Sequence, residues 1–181
     1  MRKHVCVFSS SSDNIDIAFF KAAEELGVLI ANHNYTLVYG GAKVGLMGTL
    51  AKTVHANGGK VVGVIPDFLK DKEVAYEAAD EMIVTKDMRD RKTIMEERSD
   101  AFVALPGGFG TVEEIMEMLT LKQLKRHDKP IVLVNTNNFY EHMINFFNHM
   151  VQEQFAKDES LEHYSVVSSA TDAISYIAEQ F

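Results

Sequence analysis

The strongest constraint on the fold is an alternation of short apolar runs and amphipathic segments along the 181 residues. The runs are apolar on both faces, which is typical of parallel strands covered by helices on both sides. They are Val5–Phe8, Thr36–Tyr39, Val61–Ile65, Met82–Thr85, Ala101–Leu105, Ile131–Val134 and Tyr164–Val167. Between them, apolar residues recur at helical spacing, as at Phe19, Ala23, Leu26 and Ile30. The sequence therefore predicts a single-domain, Rossmann-like α/β fold over residues 1–181, with a doubly wound, mostly parallel sheet and helices on both faces.

Composition narrows the class of partner. The net charge of −8 disfavours a broad contact surface for the phosphates of nucleic acids, so we expect a small-molecule ligand and no nucleic acid. No apolar stretch approaches the ~18–20 residues that cross a bilayer, so we expect no membrane span. The single cysteine, Cys6, has no partner for an internal disulfide and is expected to be a small apolar core residue. These features predict a cytoplasmic protein.

Seven of the eleven glycines lie in two loops, Gly40–Gly48 and Pro106–Thr111. Each loop follows an apolar run and leads into a helical pattern, so its glycines allow backbone N–H groups to approach an anion at a helix N-terminus. The alternative is that the glycines only form tight turns between strand and helix. We expect both loops to suit an anion.

Neither loop carries a standard nucleotide-binding signature. The Gly40–Gly45 segment has Walker A glycine spacing but continues as Leu46-Met47, and Gly110 is followed by Glu113 where a third glycine would stand. A dinucleotide fingerprint would follow the first strand, which here ends in the serine run 9–12. The sequence thus disfavours a kinase, an NTPase and a dinucleotide dehydrogenase. The serines either contact a phosphate or ribose, or cap the following helix.

The polar stretch Asp67–Asp80 has two interpretations. It is longer than an average connection, which favours a flap over the site. A short exposed helix explains the same composition.

Basic residues crowd the start of a predicted helix that runs from Asp87 to Ser99. Arg89, Arg91 and Lys92 are unfavourable at a helix N-terminus unless they meet an anion or a carboxylate. The alternative is a solvated face, neutralised by the nearby acidic residues Asp87, Asp90 and Glu96.

Glu114 also has two interpretations. Thr111-Val-Glu-Glu114 has the spacing of a capping box, with Thr111 as N-cap, and this structural role would explain the glutamate completely. Its position one turn from an anion-binding loop would equally let the carboxylate reach the sugar of a bound nucleotide, where it could activate water or stabilise positive charge.

Two strings of residues resemble the LOG ("lonely guy") family of nucleoside 5′-monophosphate phosphoribohydrolases, whose members have often been labelled lysine decarboxylases. They are Asp87-Met-Arg-Asp-Arg-Lys-Thr-Ile-Met95 and Ala101-Phe-Val-Ala-Leu-Pro-Gly-Gly-Phe-Gly-Thr-Val-Glu-Glu114. The resemblance extends from Val5 through Gly45-Leu-Met-Gly48 and Gly63-Val-Ile-Pro66 to Lys129-Pro130. It implies hydrolysis of the N-glycosidic bond of AMP or a cytokinin riboside 5′-monophosphate, by a homodimer.

The resemblance also assigns site residues. Arg91 and Glu114 match the catalytic pair of the family. The substrate-contact positions match Glu73, Lys92, Gly108, Phe109, Gly110, Thr111, Val112, Glu113 and Thr120, and the loop residues Gly107, Gly41 and Ser10 complete the predicted binding set. The chain departs from the family pattern at Ser10, Ala42, Lys43 and Arg89.

We expect no metal, because the seven histidines form no HExxH motif or close cluster. We also expect no cofactor. A lysine decarboxylase would need pyridoxal phosphate on a lysine, and no lysine here stands in a distinctive context for it. The remaining alternative is a non-catalytic carrier of a nucleotide or of a phosphorylated pterin, of the molybdenum cofactor type, on the same fold.

Overall fold

The computed structural model describes residues 2–70 and 75–181. Within these residues, seven strands form one parallel sheet in the order β4-β3-β2-β1-β5-β6-β7. The strands are β1 (His4–Phe8), β2 (Thr36–Tyr39), β3 (Lys60–Pro66), β4 (Glu81–Thr85), β5 (Ala101–Ala104), β6 (Ile131–Val134) and β7 (Ser165–Val167). Each predicted run matches its strand to within one residue at either end.

Helices connect the strands. They are α1 (Ile17–Asn32), α2 (Gly45–Ala56), α3 (Asp67–Lys70), α4 (Met88–Glu97), α5 (Phe109–Gln123), α6 (Glu141–Gln152) and α7 (Ala170–Gln180), with 3-10 turns at Thr136–Asn138 and Asp158–His163. Side-chain carboxylates or hydroxyls cap three of these helices at their N-termini: Asp16 caps α1, Asp87 caps α4 and Ser169 caps α7.

Two apolar layers cover the two faces of the sheet. Successive side chains of a strand point to opposite faces, so Val5 and Val7 of β1 join the core beneath α1, α2 and α7, whereas Cys6 and Phe8 join the core beneath α4, α5 and α6. Both layers are buried, which explains why the strands are apolar on both faces. The predicted doubly wound α/β fold is confirmed, and Cys6 is a buried core residue as expected.

The sheet has a topological switch point between β1 and β5. These strands are neighbours, but the chain leaves β1 towards α1 on one face and leaves β5 towards α5 on the other. Ligands of open α/β sheets bind beyond the carboxyl ends of the strands at such a point. The serine run and the second glycine loop both begin there.

The stretch after β3 begins with an exposed helix, α3, which confirms that interpretation for residues 67–70. Further on, Ala75 forms a β-bridge with Ala42, and the Tyr76 N–H donates to the Gly41 carbonyl at 2.9 Å. Glu73, and with it the middle of the proposed flap, lies outside the described residues, so the flap stays a prediction.

Within the described part of the chain, no helix has the length and apolar character that a membrane span requires.

Candidate active site

A cavity of about 340 Å³ opens at the switch point. This volume lies near the lower end of the range of small-molecule sites, about 300–1,000 Å³. The loop after β1 contributes Ser9–Ser12, the start of α5 contributes Gly108, Gly110, Thr111 and Glu114, and α4 contributes Arg91. Gly40 and Met47 border the cavity from the β2–α2 segment. The cavity thus brings together four segments that are distant from one another in the sequence.

Arg91 and Glu114 form a buried ion pair at this cavity. Their exposed fractions are 5% and 7%, and the Arg91 Nη1 atom lies 3.6 Å from the Glu114 Oε1 atom. Buried charges are tolerated only when they are paired and hydrogen-bonded, so the pair requires a well-defined geometry. The structure brings together the two residues that were predicted to be catalytic.

Backbone carbonyls fix the guanidinium of Arg91. Its Nε donates to the Val64 carbonyl at 3.0 Å, and its Nη2 donates to the Gly40 carbonyl at 3.2 Å. A Cβ atom on Gly40 would lie only 2.2 Å from Nη2, so the glycine allows the guanidinium to approach the loop. The planar group is therefore held by β3 and by the loop after β2, with Nη1 directed towards α5 and Glu114.

The N-terminus of α5 is open towards the cavity. Its N-cap is Gly108, and no side chain forms a cap hydrogen bond there. The capping-box interpretation is therefore wrong: Thr111 lies within the first turn, and the carboxylate of Glu114 pairs with Arg91. Because the first N–H groups of an α-helix have no intrahelical acceptor, the loop Gly107–Thr111, here called the anion-binding loop, presents donors and the positive end of the helix dipole.

The other glycine loop does not offer its helix N-terminus to a ligand. The Leu46 and Met47 N–H groups donate to the Ser10 carbonyl at 2.9 and 3.3 Å, and the Gly45 N–H donates to the Asp13 Oδ1 atom at 2.9 Å. The expectation that both loops suit an anion is therefore wrong for α2, because the chain itself supplies the acceptors.

The serines do not cap α1, which Asp16 caps; their loop instead packs on α2 and lines the cavity.

We expect Gly45→Ala to destabilise the protein much more than Gly58→Ala. Both glycines have positive φ, +59° and +73°, but a Cβ on Gly45 would lie 2.4 Å from the Ser11 carbonyl carbon, whereas a Cβ on Gly58 would meet nothing within 4 Å. The conformational cost is about 1–2 kcal/mol in each case. Overlap with the serine loop should add about 1–3 kcal/mol at Gly45 alone. Urea unfolding of both variants measures the difference, and equal losses would contradict this packing.

Several predicted contact residues lie outside the cavity of a single chain. Lys92 forms ion pairs with Glu113 and Glu117 on the outer side of α4 and α5, where it borders a separate depression. Burial opposes the charged form of Lys92, but its hydrogen bonds to the two carboxylates raise the pKa of the ammonium. The charged-face interpretation therefore fails for Arg91 and Lys92, which both meet carboxylates of α5, and Arg89 alone is exposed.

The remaining predicted residues divide in the same way. Thr120 is exposed and borders an apolar groove between α5 and α6, and Phe109 is 98% exposed beside two glycines that line the cavity. Val112 is not among the described residues that line the cavity. Gly41, which was predicted to contact the substrate, is buried and does not line the cavity. Its neighbour Gly40 lines the cavity instead. Sequence reasoning did not assign Gly40 and Met47 to the site, although both belong to the glycine-rich segment between β2 and the first turn of α2, at the same edge of the sheet.

Cys6 lies close to the Arg91–Glu114 pair without lining the cavity. Burial raises the pKa of its thiol, and the charge of Glu114 raises it further. The thiol therefore stays protonated at neutral pH.

In the described part of the chain, no group of histidine, cysteine and acidic side chains has the arrangement of a metal site.

The fold and the cavity define the class: a doubly wound α/β protein with a small-molecule site at the switch point. Residues 47–177 match a sequence family described as "Possible lysine decarboxylase". Two proteins of Arabidopsis thaliana named cytokinin riboside 5′-monophosphate phosphoribohydrolase are similar over most of their length. LOG1 is 42% identical over 84% of this chain and 72% of its own, and LOG3 is 37% identical over 98% and 82%. The chain belongs to the LOG family.

A solved structure shares the same fold. The molybdenum cofactor carrier protein of Chlamydomonas reinhardtii is 25% identical, with a TM-score of 0.78 over 99% of this chain and 98% of that protein. The fold therefore also occurs in a protein named as a carrier.

Proposed function

We propose that this protein hydrolyses the N-glycosidic bond of adenine-type nucleoside 5′-monophosphates, such as AMP or a cytokinin riboside 5′-monophosphate. The products are the free base and ribose 5-phosphate. The observation that carries the proposal is the buried Arg91–Glu114 pair, which shares one cavity with the open N-terminus of α5. The names of the curated relatives support the same reaction.

The geometry supports a mechanism without a cofactor. The anion-binding loop holds the 5′-phosphate through backbone N–H groups at the helix N-terminus. The bond between the sugar carbon and the base nitrogen breaks with its electrons going to the base, and the sugar gains oxocarbenium character. Glu114 stabilises that positive charge and takes a proton from the attacking water, while Arg91 orients the carboxylate and binds substrate oxygens. The departing base takes up a proton from solvent, which balances the proton that Glu114 takes from the attacking water and later returns to solvent.

Two other functions fit the site less well. A pyridoxal-phosphate decarboxylase needs a lysine in the cavity, and none lines it among residues 2–70 and 75–181. A carrier of a phosphorylated pterin is favoured by the likeness to the molybdenum cofactor carrier. Carriage needs the anion-binding loop, but it gives no reason to bury a carboxylate beside it. Glu114 therefore favours the hydrolase.

We expect the protein to release adenine and ribose 5-phosphate from AMP and to leave adenosine intact. The phosphate supplies the binding energy at α5, and adenosine lacks this group. Chromatography of the two reactions measures the products. Equal turnover of AMP and adenosine would refute phosphate recognition, and binding of AMP without turnover would favour the carrier.

A homodimer and a cytoplasmic location belong to the same proposal. The dimer is supported by apolar side chains that a single chain leaves exposed on and near the groove between α5 and α6, Phe146 and Phe155 among them.

A further inference from the structure

Tyr140 connects α6 to the segment that enters the anion-binding loop. It is the N-cap residue of α6 and is almost completely buried, and its phenol Oη donates to the Leu105 carbonyl at 2.6 Å. Leu105 directly precedes Pro106-Gly107. The phenol therefore fixes the peptide group between Leu105 and Pro106, just before the loop.

Two hydrogen bonds hold the backbone of Leu105, one at its N–H and one at its carbonyl. The Leu105 N–H donates to the Phe8 carbonyl of β1 at 3.0 Å, and the Leu105 carbonyl accepts from the phenol of Tyr140. Burial raises the pKa of the phenol, so Tyr140 remains a protonated donor at neutral pH. A phenylalanine at this position would leave a buried carbonyl without this donor.

Tyr140 is itself anchored at its backbone. Its N–H donates to the Asn135 Oδ1 atom at 2.7 Å, and the Asn135 N–H donates to the Val167 carbonyl of β7 at 2.8 Å. Asn137 and Asn138 adopt left-handed φ values of +54° and +58°, which turn the chain between β6 and α6. The ring of Phe139 packs edge-on against the phenol ring, with centroids 5.0 Å apart. The hydroxyl therefore has a fixed position.

We propose that Tyr140 is a positioning residue for phosphate recognition, which acts through the Leu105 carbonyl on the backbone of the anion-binding loop. The inference rests on the proposed function, because it assumes that this loop binds the 5′-phosphate. Without the phenol donor, the Leu105 carbonyl loses this restraint, and the Leu105–Pro106 peptide tilts towards another donor within the range that the Pro106 ring allows. The N–H groups that follow then no longer converge on one anion.

The test compares two ligands that each represent one half of the substrate. Calorimetry of the full-length protein with ribose 5-phosphate and with adenine is expected to show about tenfold weaker binding of ribose 5-phosphate by Tyr140→Phe, the effect of losing one hydrogen bond. Binding of adenine should change less than twofold. The matched control is Tyr164→Phe, which removes a phenol hydroxyl beside Phe147 and should change neither affinity.

A second pair of variants addresses the backbone anchor. Asn135→Ala removes the acceptor for the Tyr140 N–H and should reproduce the selective loss, whereas Asn135→Asp keeps an oxygen at that position and should retain binding. Equal weakening of both ligands in Tyr140→Phe, or no change in ribose 5-phosphate binding, would overturn the inference. If the unmodified protein bound no ribose 5-phosphate, the proposed function would fail first, and this inference with it.

Discussion

Replacing Glu114 by Gln is expected to reduce kcat for AMP by about 10³-fold, within the range of about 10²–10⁴-fold that general acid–base catalysis contributes. The amide has nearly the same size, but it neither takes a proton from water nor carries the charge that stabilises the sugar cation. Because Glu114 forms no capping box, the substitution should leave the first turn of α5 intact. The loss of kcat would therefore report on the chemical step. Steady-state release of adenine measures the effect.

The control for this variant is the same change about one turn further along α5. Glu117 is half-buried and pairs with Lys92 on the outer side of the helices, so Glu117→Gln should stay within about threefold of the unmodified enzyme, as expected for a partly exposed ion pair. Thermal unfolding checks that Glu114→Gln remains folded, since Arg91 keeps its two carbonyl acceptors. Near-normal turnover by Glu114→Gln would mean that another carboxylate performs the reaction.

Replacing Arg91 by Lys is expected to lower kcat/KM for AMP by about 10²–10³-fold, the size of effect found when one preorganised donor to a transition state is removed. The guanidinium contacts the Val64 carbonyl, the Gly40 carbonyl and Glu114 in three directions at once. The lysine side chain is shorter and carries its charge on one nitrogen. Its ammonium group therefore cannot keep all three contacts and also bind the substrate. Initial-rate kinetics over a range of AMP concentrations measures the loss.

The matched variant is Arg89→Lys. Arg89 is exposed in the first turn of the same helix, so kcat/KM should change less than about twofold. Similar losses in both variants would mean that the arginines act only as a diffuse positive field. Unchanged kinetics in Arg91→Lys would remove this residue from the mechanism.

The sheet was predictable because parallel strands buried on both faces must be apolar throughout, and that property is local in the sequence. The position of the site was predictable for a related reason, since glycine and serine segments that follow neighbouring strands meet at one edge. The basic residues at the start of α4 were also informative. Arg91 is unfavourable at a helix N-terminus in isolation, and its carboxylate partner proved to be Glu114.

What the sequence did not reveal depends on contacts between distant segments. Asp13 and the Ser10 carbonyl occupy the N-terminus of α2, and nothing within the Gly40–Gly48 loop indicates that partner. The capping-box spacing at Thr111 was equally misleading, because a glycine one residue before the helix displaced the expected N-cap. Tyr140 carried no motif at all, and its role follows from a hydrogen bond across 35 positions of the chain.

The occupied N-terminus of α2 has a consequence for the direction in which a ligand binds. With Ser10 and Asp13 in place, α5 is the one helix among residues 2–70 and 75–181 that offers an uncapped N-terminus at the cavity, so a molecule with one anionic end has one favoured orientation. In the proposed mechanism, the same face of the sugar ring then meets Glu114, and water attacks from that side. In the proposed reaction, the anomer of ribose 5-phosphate that forms first is thus set by the pairing of a serine loop with the N-terminus of α2.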